Sequence, residues 1–193
     1  MEYIKNGYLI QQSDRKNIFI EKYIPNVSYH GVHEFVLFPF SSSDRDPQCR
    51  YLSKKQMSKK VGDNQFRMLE FISDIDFLHE YLHKMKEMNL PHRVLFFESQ
   101  YTEEYCNIIP DEKKFLGYEV CEIPFDPWTL LDLFGRKQFQ HYHNKLNENG
   151  LFSFEKDAIE FMQDYKEQLN MGLVGDGEVD LYICRVYEIN SGV

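Results

Sequence analysis

An apolar stripe at helical spacing runs along residues 77–88 and is followed within a few residues by a strand-like run. Six apolar residues recur in it at intervals that place them on one side of a helix: Phe77, Leu78, Tyr81, Leu82, Met85 and Met88. Ser73 and Asp74 are suited to cap the start of such a helix, and Pro91 follows its end. The run RVLFFE (93–98) is rich in the residues that strands favour. This order predicts a helix that packs directly onto a sheet.

Further strand-like runs lie near both ends of the chain, with helical patterns grouped between them. The predicted strands are 8–12, 17–24, 34–38, 93–98, 115–123 and 179–189. Two more helices are predicted over 128–147 and 154–169, the second with Ser153 as its N-cap. Because these elements are grouped rather than strictly alternating, they favour an α+β fold. We predict a single domain over residues 1–193, with about three helices packed on a mixed or mainly antiparallel sheet and a mobile loop at 41–62.

The chain is acidic, and the negative charge is unevenly distributed. It carries 22 Lys and Arg against 31 Asp and Glu, a net charge of −9, and residues 63–193 hold 12 of the basic and 25 of the acidic groups. A nucleic-acid-binding surface needs a basic footprint, so we predict no nucleic-acid partner. The charge has two open explanations. It forms an acidic docking surface, or it only keeps the protein soluble.

The sequence lacks a membrane-spanning segment, an export signal and a cysteine motif, and these absences set the expected cellular location and the state of the cysteines. No apolar run approaches the ~20 residues of a membrane-spanning helix, and the first residues have neither the basic nor the apolar part of an export signal. We therefore expect a cytoplasmic protein with no membrane contact.

The four cysteines, Cys49, Cys106, Cys121 and Cys184, are widely spaced and match no metal-binding pattern. Reduced thiols are expected, and Cys121 and Cys184 lie in apolar runs where a buried thiol is ordinary.

The motif HEYLH (79–83) matches H-E-x-x-H, in which two histidines one helical turn apart hold zinc and the glutamate acts as a base. The extended motif requires a glycine and a third histidine where this chain has Lys86 and Asn89. Fingerprints of nucleotide binding and of serine hydrolases are absent. We therefore predict no cofactor and no bound metal, and an enzyme is the less favoured class. A zinc-dependent hydrolase with His79 and His83 as ligands is the alternative.

Carboxylates and tyrosines are concentrated on and between the predicted strands 93–98 and 115–123. Such residues suit a surface for a basic protein, because complementary charge speeds association and aromatic side chains anchor interfaces. The predicted partner-binding residues are Glu98, Tyr101, Glu103, Glu104, Tyr105, Asp111, Glu112 and Glu119. The equally open alternative is solvated charge with no partner.

Four segments in the second half of the chain carry a resemblance. They are RVLFFES (93–99), KFLGYEV (114–120), LNENGLFSFEKDAIEF (146–161) and DLYICRVYEI (180–189). Together they resemble a group of small cytosolic bacterial proteins that includes immunity proteins, which neutralise secreted toxins. The resemblance implies a non-enzymatic α+β protein that acts as a stoichiometric inhibitor, and it transfers no functional residue. We therefore expect a protein partner, a basic toxin domain. A scaffold or regulatory subunit is a further alternative, and the oligomeric state is left open.

Overall fold

A computed structural model of the protein describes residues 3–12, 72, 75–87, 89, 91–100, 110–122, 136–174 and 180–190. The elements in these ranges are β1 (Ile4–Gln12), α1 (Ile75–Glu87), β2 (His92–Ser99), β3 (Lys113–Glu122), a 3-10 helix (Lys137–Lys145), α2 (Glu155–Asn170) and β4 (Leu181–Ile189). The predicted strands 17–24 and 34–38 and the predicted mobile loop at 41–62 lie outside the described residues. The single domain over residues 1–193 stays a prediction.

The four described strands form one antiparallel sheet in the order β1-β2-β4-β3. Its strands match the runs predicted at 8–12, 93–98, 115–123 and 179–189 to within a few residues, except that β1 begins earlier, at Ile4. β4 lies between β2 and β3, although it follows both in the sequence. Helices pack on this antiparallel sheet, and the α+β prediction is confirmed.

The helix α1 covers one half of one face of the sheet. Its predicted stripe is buried at Leu78, Tyr81, Leu82 and Met85. These side chains form one cluster with Tyr8 and Ile10 of β1 and with Val94 and Phe96 of β2. Alternate residues of a strand share a face, so Tyr187 and Ile189 of β4 reach the same cluster. Full burial of a large apolar side chain contributes about 1.5–3 kcal/mol, so this cluster fixes α1 on the sheet.

The helix α2 and the 3-10 helix cover the other half of that face. Aromatic rings from both helices interlock with edge-on geometry. The ring of Phe161 lies 5.3 Å from that of Tyr142 and 5.6 Å from that of Phe139, centroid to centroid. Beneath them, Val120 of β3 and Ile183 of β4 complete the cluster. Aromatic pairs of this kind add about 0.5–1.5 kcal/mol beyond the area that they bury.

Two helix predictions need correction. Residues 137–145 of the helix predicted over 128–147 form a 3-10 helix rather than an α-helix, and residues 128–135 lie outside the described residues. The buried residues Phe139 and Tyr142 are three positions apart, which matches the three residues per turn of a 3-10 helix. The predicted N-cap Ser153 was wrong as well, because Phe154 occupies the N-cap of α2 and no side chain caps the helix there.

The opposite face of the sheet is also buried. It presents an apolar cluster of Leu9, Leu95, Phe97, Leu116, Cys121, Leu151, Cys184 and Val186. At one end of this face Arg93 donates from Nε to Oε1 of Gln11 over 2.6 Å and from Nη1 to Oδ1 of Asn149 over 3.0 Å. All three of these polar residues are buried. They tie β1 and β2 to the segment that follows the 3-10 helix.

Candidate partner-binding site

One row of polar and aromatic residues crosses the sheet between its two helix-covered halves. The strand register places Glu98 of β2 opposite Arg185 of β4, and Arg185 opposite Tyr118 of β3. On β4, Tyr187 on one side of this row packs against the α1 cluster, and Ile183 on the other side packs against the α2 cluster. We define the central strip as this row and its neighbours on the same part of the sheet: Glu98, Lys113, Phe115, Tyr118, Arg185 and Tyr187.

The carboxylate of Glu98 is the organising charge of the central strip. Its side chain is only 11% exposed, and its Oε1 lies 2.5 Å from Nζ of Lys113. Its Oε2 accepts a hydrogen bond from the Tyr187 hydroxyl over 2.9 Å. The ammonium group of Lys113 also lies 4.1 Å from the centre of the Tyr187 ring. A buried charge is costly unless it is paired and hydrogen-bonded, and here both carboxylate oxygens are satisfied.

Burial and the hydrogen bond to Glu98 change the acidity of Tyr187. Burial makes the larger contribution, because it disfavours the charged phenolate. The bond to the Glu98 carboxylate adds to it, since that bond requires the protonated hydroxyl. Together they raise the pKa of Tyr187 to about 12. At neutral pH the Tyr187 hydroxyl is therefore protonated and donates to Glu98.

A bulge in β3 gives the central strip its exposed aromatic ring. The pairing with β4 shifts by one residue between Phe115 and Gly117, and a bulge of this kind redirects the side chains around it. As a result Phe115 and Tyr118, three positions apart, lie on the same face. The ring of Phe115 packs edge-on against Tyr118 at 5.1 Å and against Tyr187 at 5.4 Å, centroid to centroid. It is nevertheless 44% exposed.

Arg185 links the central strip to Tyr3, directly before β1, and through it to α2. Its guanidinium lies 3.7 Å from the centre of the Tyr3 ring, a cation–π contact. The hydroxyl of Tyr3 donates to Oε1 of Glu155, at the start of α2, over 2.6 Å. Burial first and this hydrogen bond second raise the pKa of Tyr3 well above its ordinary value. The contacts hold the edge of the central strip against the first turn of α2.

The structure brings together only part of the predicted partner-binding surface. Asp111 and Glu112 are exposed in a bend directly before β3, which we call the acidic bend. Glu98 lies in the central strip, where Lys113 and Tyr187 hold its carboxylate. Glu119 is opposite Cys184 in the register and is 2% exposed on the other face of the sheet. The remaining predicted residues, Tyr101, Glu103, Glu104 and Tyr105, lie outside the described residues.

The two histidines of the HEYLH motif lie on the exposed side of α1. His79, Glu80 and His83 are all exposed, while Tyr81 and Leu82 between them are buried in the α1 cluster. Among the residues that the structure describes, no three His, Cys, Asp or Glu side chains come together as a metal site would require. In the same part of the chain, no helix has the length and apolar character needed to cross a membrane.

Of the central strip, sequence reasoning identified only Glu98 as a binding residue, and among the residues that it missed are Phe115, Arg185 and Tyr187. Each lies in a predicted strand, where an aromatic or arginine residue has no distinctive local signal. Their grouping depends on the pairing of β3 with β4 and of β4 with β2. The bulge that brings Phe115 onto the same face is signalled only by Gly117, since glycine inside a strand often marks a bulge.

Comparison with known proteins gives this site no precedent. No protein-family model matches the chain, no curated protein matches it, and no solved structure matches it. The function therefore has to be inferred from the residues and their geometry.

Proposed function

We propose that this chain is an immunity-type protein of the bacterial cytoplasm that binds and neutralises a basic toxin domain and performs no chemistry of its own. The binding surface is the acidic bend together with the exposed edge of the central strip. The proposal rests on one observation above all. The exposed Phe115 is held in place by the rings of Tyr118 and Tyr187. It follows shortly after the two exposed carboxylates of the acidic bend in the chain.

The packing of Phe115 supports its role as an anchor. Binding costs less when a side chain is already fixed in its bound position. Tyr118 and Tyr187 support the ring of Phe115 from two directions, and Tyr187 is itself held by Glu98. Large aromatic residues that a partner can cover completely provide much of the binding energy in protein interfaces. A partner that covers Phe115 would gain this energy with little loss of side-chain freedom.

The charges around Phe115 favour a basic partner. Glu98 pairs with Lys113 within the central strip, and Asp111 and Glu112 are exposed directly before Lys113 in the chain. Lys114 is exposed as well, but the register places it on the other face of the sheet from Phe115. The whole chain adds a net charge of −9. Toxins that act on nucleic acid need a basic groove, and an acidic surface would be steered toward such a groove and would cover it.

The test is binding to the toxin domain encoded beside the gene for this chain. Association and dissociation rates are measured for the wild type and for the double variant Asp111→Lys and Glu112→Lys, at low and at moderate salt. Charge reversal should weaken binding at least about tenfold, mainly through slower association, and wild-type binding should weaken as salt rises. A second variant, Phe115→Ala, should mainly speed dissociation, because it removes the anchor rather than the charge.

A matched control separates a local effect from overall charge. Glu167 on α2 and Asp180 directly before β4 are exposed outside the acidic bend, and Asp180 lies at the opposite end of the β3–β4 pairing from Lys113. Their joint change to Lys alters the net charge by the same amount. We expect this control to change affinity by less than about twofold, as surface substitutions outside an interface usually do. Equal losses in both double variants would contradict the proposed surface. Failure of the wild type to bind the toxin or protect cells from it would contradict the proposed function.

A further inference from the structure

Two buried thiols meet on the face of the sheet opposite the central strip. Cys121 of β3 is opposite Tyr182, and Cys184 of β4 is opposite Glu119, so the two cysteines are diagonal neighbours on paired strands. Their Sγ atoms lie 2.8 Å apart. Both residues are 2% exposed, and both carry a thiol group that is not in a disulfide bond. This juxtaposition is independent of any partner and of the acidic bend.

The distance between the sulfur atoms makes a covalent bond accessible. A disulfide has an S–S distance of about 2.05 Å, so the two sulfurs need to approach by only about 0.75 Å. The side chains already point toward each other. Because diagonal neighbours on paired strands are typically about 7–8 Å apart, the two strands also have to shift slightly toward each other for the bond to close. Leu95, Leu116 and Val186 belong to the same apolar cluster, and an apolar disulfide is compatible with such surroundings.

We infer that Cys121 and Cys184 are a site of reversible intramolecular disulfide formation, oxidised by a peroxide. A thiolate first attacks one oxygen of hydrogen peroxide. The O–O bond breaks, a sulfenic acid forms, and the departing hydroxide leaves as water with the thiol proton. The second sulfur then attacks the sulfenic sulfur, the S–S bond forms, and the S–O bond breaks. A second water leaves with the remaining proton, and two electrons have passed from the sulfur pair to the peroxide.

Burial sets the kinetics of this oxidation. A peroxide reaches sulfurs in an apolar cluster only when the structure opens locally, as native proteins do at a cost below that of global unfolding. Oxidation is therefore slow in the folded protein and faster in a low concentration of urea that leaves most molecules folded. The same burial shields the finished disulfide from reductants, because thiol–disulfide exchange requires access to a sulfur atom.

The experiment uses the full chain with Cys49→Ser and Cys106→Ser, so that only the two buried thiols remain. The protein is treated with hydrogen peroxide in zero and in mild urea, then quenched, unfolded and exposed to an alkylating agent. We expect a product two hydrogen atoms lighter that takes up no alkyl group, and full alkylation after treatment with dithiothreitol. The oxidised protein should unfold at a temperature higher by about 5 °C or more, since the bond closes a long loop.

Control variants and the wild type complete the test. Cys121→Ala and Cys184→Ala in the same background should show no loss of the two hydrogens, and each should retain one thiol that takes up oxygen or alkyl groups. In the wild type, peptide mapping should locate the bond between Cys121 and Cys184 rather than to Cys49 or Cys106. Two alkylated thiols after peroxide in mild urea, addition of oxygen without a bond, or a bond to another cysteine would each overturn the inference.

Discussion

The Tyr187 hydroxyl donates to Oε2 of Glu98 across 2.9 Å, although the two residues are 89 positions apart in the chain. Lys113 pairs with the other oxygen of the same carboxylate. Three strands, β2, β3 and β4, therefore meet at one buried charge. The exposed ring of Phe115 rests on this arrangement through Tyr187, so the surface proposed to bind a partner depends on an interaction beneath it.

Alkaline pH should weaken the fold partly through Tyr187. Its pKa is raised to about 12 by burial and by the bond to Glu98, whereas an unfolded tyrosine ionises near 10. The folded protein then holds the proton more tightly, so this contribution is complete below pH 10 and is lost as pH rises from 10 to 12. Tyr187→Phe should lose less stability than the wild type over that interval, measured by urea unfolding at stepped pH. Parallel losses in the two proteins would contradict this expectation.

Gly117 and Gly172 form a matched pair for the cost of adding a methyl group. At Gly117, with φ at +152°, a Cβ would lie 2.8 Å from both the Leu151 Cβ and the Phe152 carbonyl oxygen. At Gly172, with φ at +69°, it would meet nothing within 4 Å. Gly172→Ala should therefore cost only the backbone strain, about 1–2 kcal/mol. Gly117→Ala should cost about 3 kcal/mol or more, because strain and collision add. Urea unfolding of both variants measures the two losses in the free energy of unfolding. Equal losses would argue against the close approach of Gly117 to Leu151 and Phe152.

Removal of Arg93 should destabilise the opposite face of the sheet. Its guanidinium satisfies Gln11 and Asn149, which are both buried. Arg93→Ala leaves those two side chains without these bonds, and we expect a loss of about 2–4 kcal/mol in the free energy of unfolding. Lys86→Ala, at an exposed position of α1, is the control and should change stability by less than about 0.5 kcal/mol. A similar small change in both variants would contradict the structural role of Arg93.

The HEYLH motif can be tested by stability and by metal content. His79 and His83 are exposed on α1, so changing both to Ala should lower the free energy of unfolding by less than about 1 kcal/mol in total. Zinc in protein purified without added metal is expected to be well below one ion per chain for the wild type and the variant alike. Stoichiometric zinc in the wild type that is lost in the variant would instead support the zinc-dependent hydrolase.

The elements with a strong repeating pattern could be predicted from the sequence. The stripe of α1 follows the period of a helix, and its members Leu78, Tyr81, Leu82 and Met85 are buried. The run RVLFFE forms β2 because it is long, apolar and bounded by turn-forming residues. The sequence did not distinguish a 3-10 helix from an α-helix at 137–145. The aromatic residues there that contact α2 are compatible with either type of helix.

The candidate site was only partly predictable, because its geometry depends on strand pairing. Asp111 and Glu112 could be identified as surface residues from their acidic, turn-like setting. The engagement of Glu98 by Tyr187 could not, since nothing near either residue specifies that their strands pair. Glu119 shows the same limit. Its position beside Cys184 on the other face follows from the register of β3, which a bulge shifts by one residue.

The central position of β4 also bears on how this protein is made. Residues 92–122 supply β2 and β3, yet these two strands are not neighbours. β2 can pair with β1, whereas β3 pairs, among the described strands, only with residues 181–189. During synthesis, β2 and β3 are made long before β4, the strand that lies between them. Pairing over such distances in the chain slows folding and leaves strand edges exposed for longer. The sheet is complete only when residues 181–189 have inserted between β2 and β3, and until then one edge of β2 and the backbone of β3 are open to pairing with other chains.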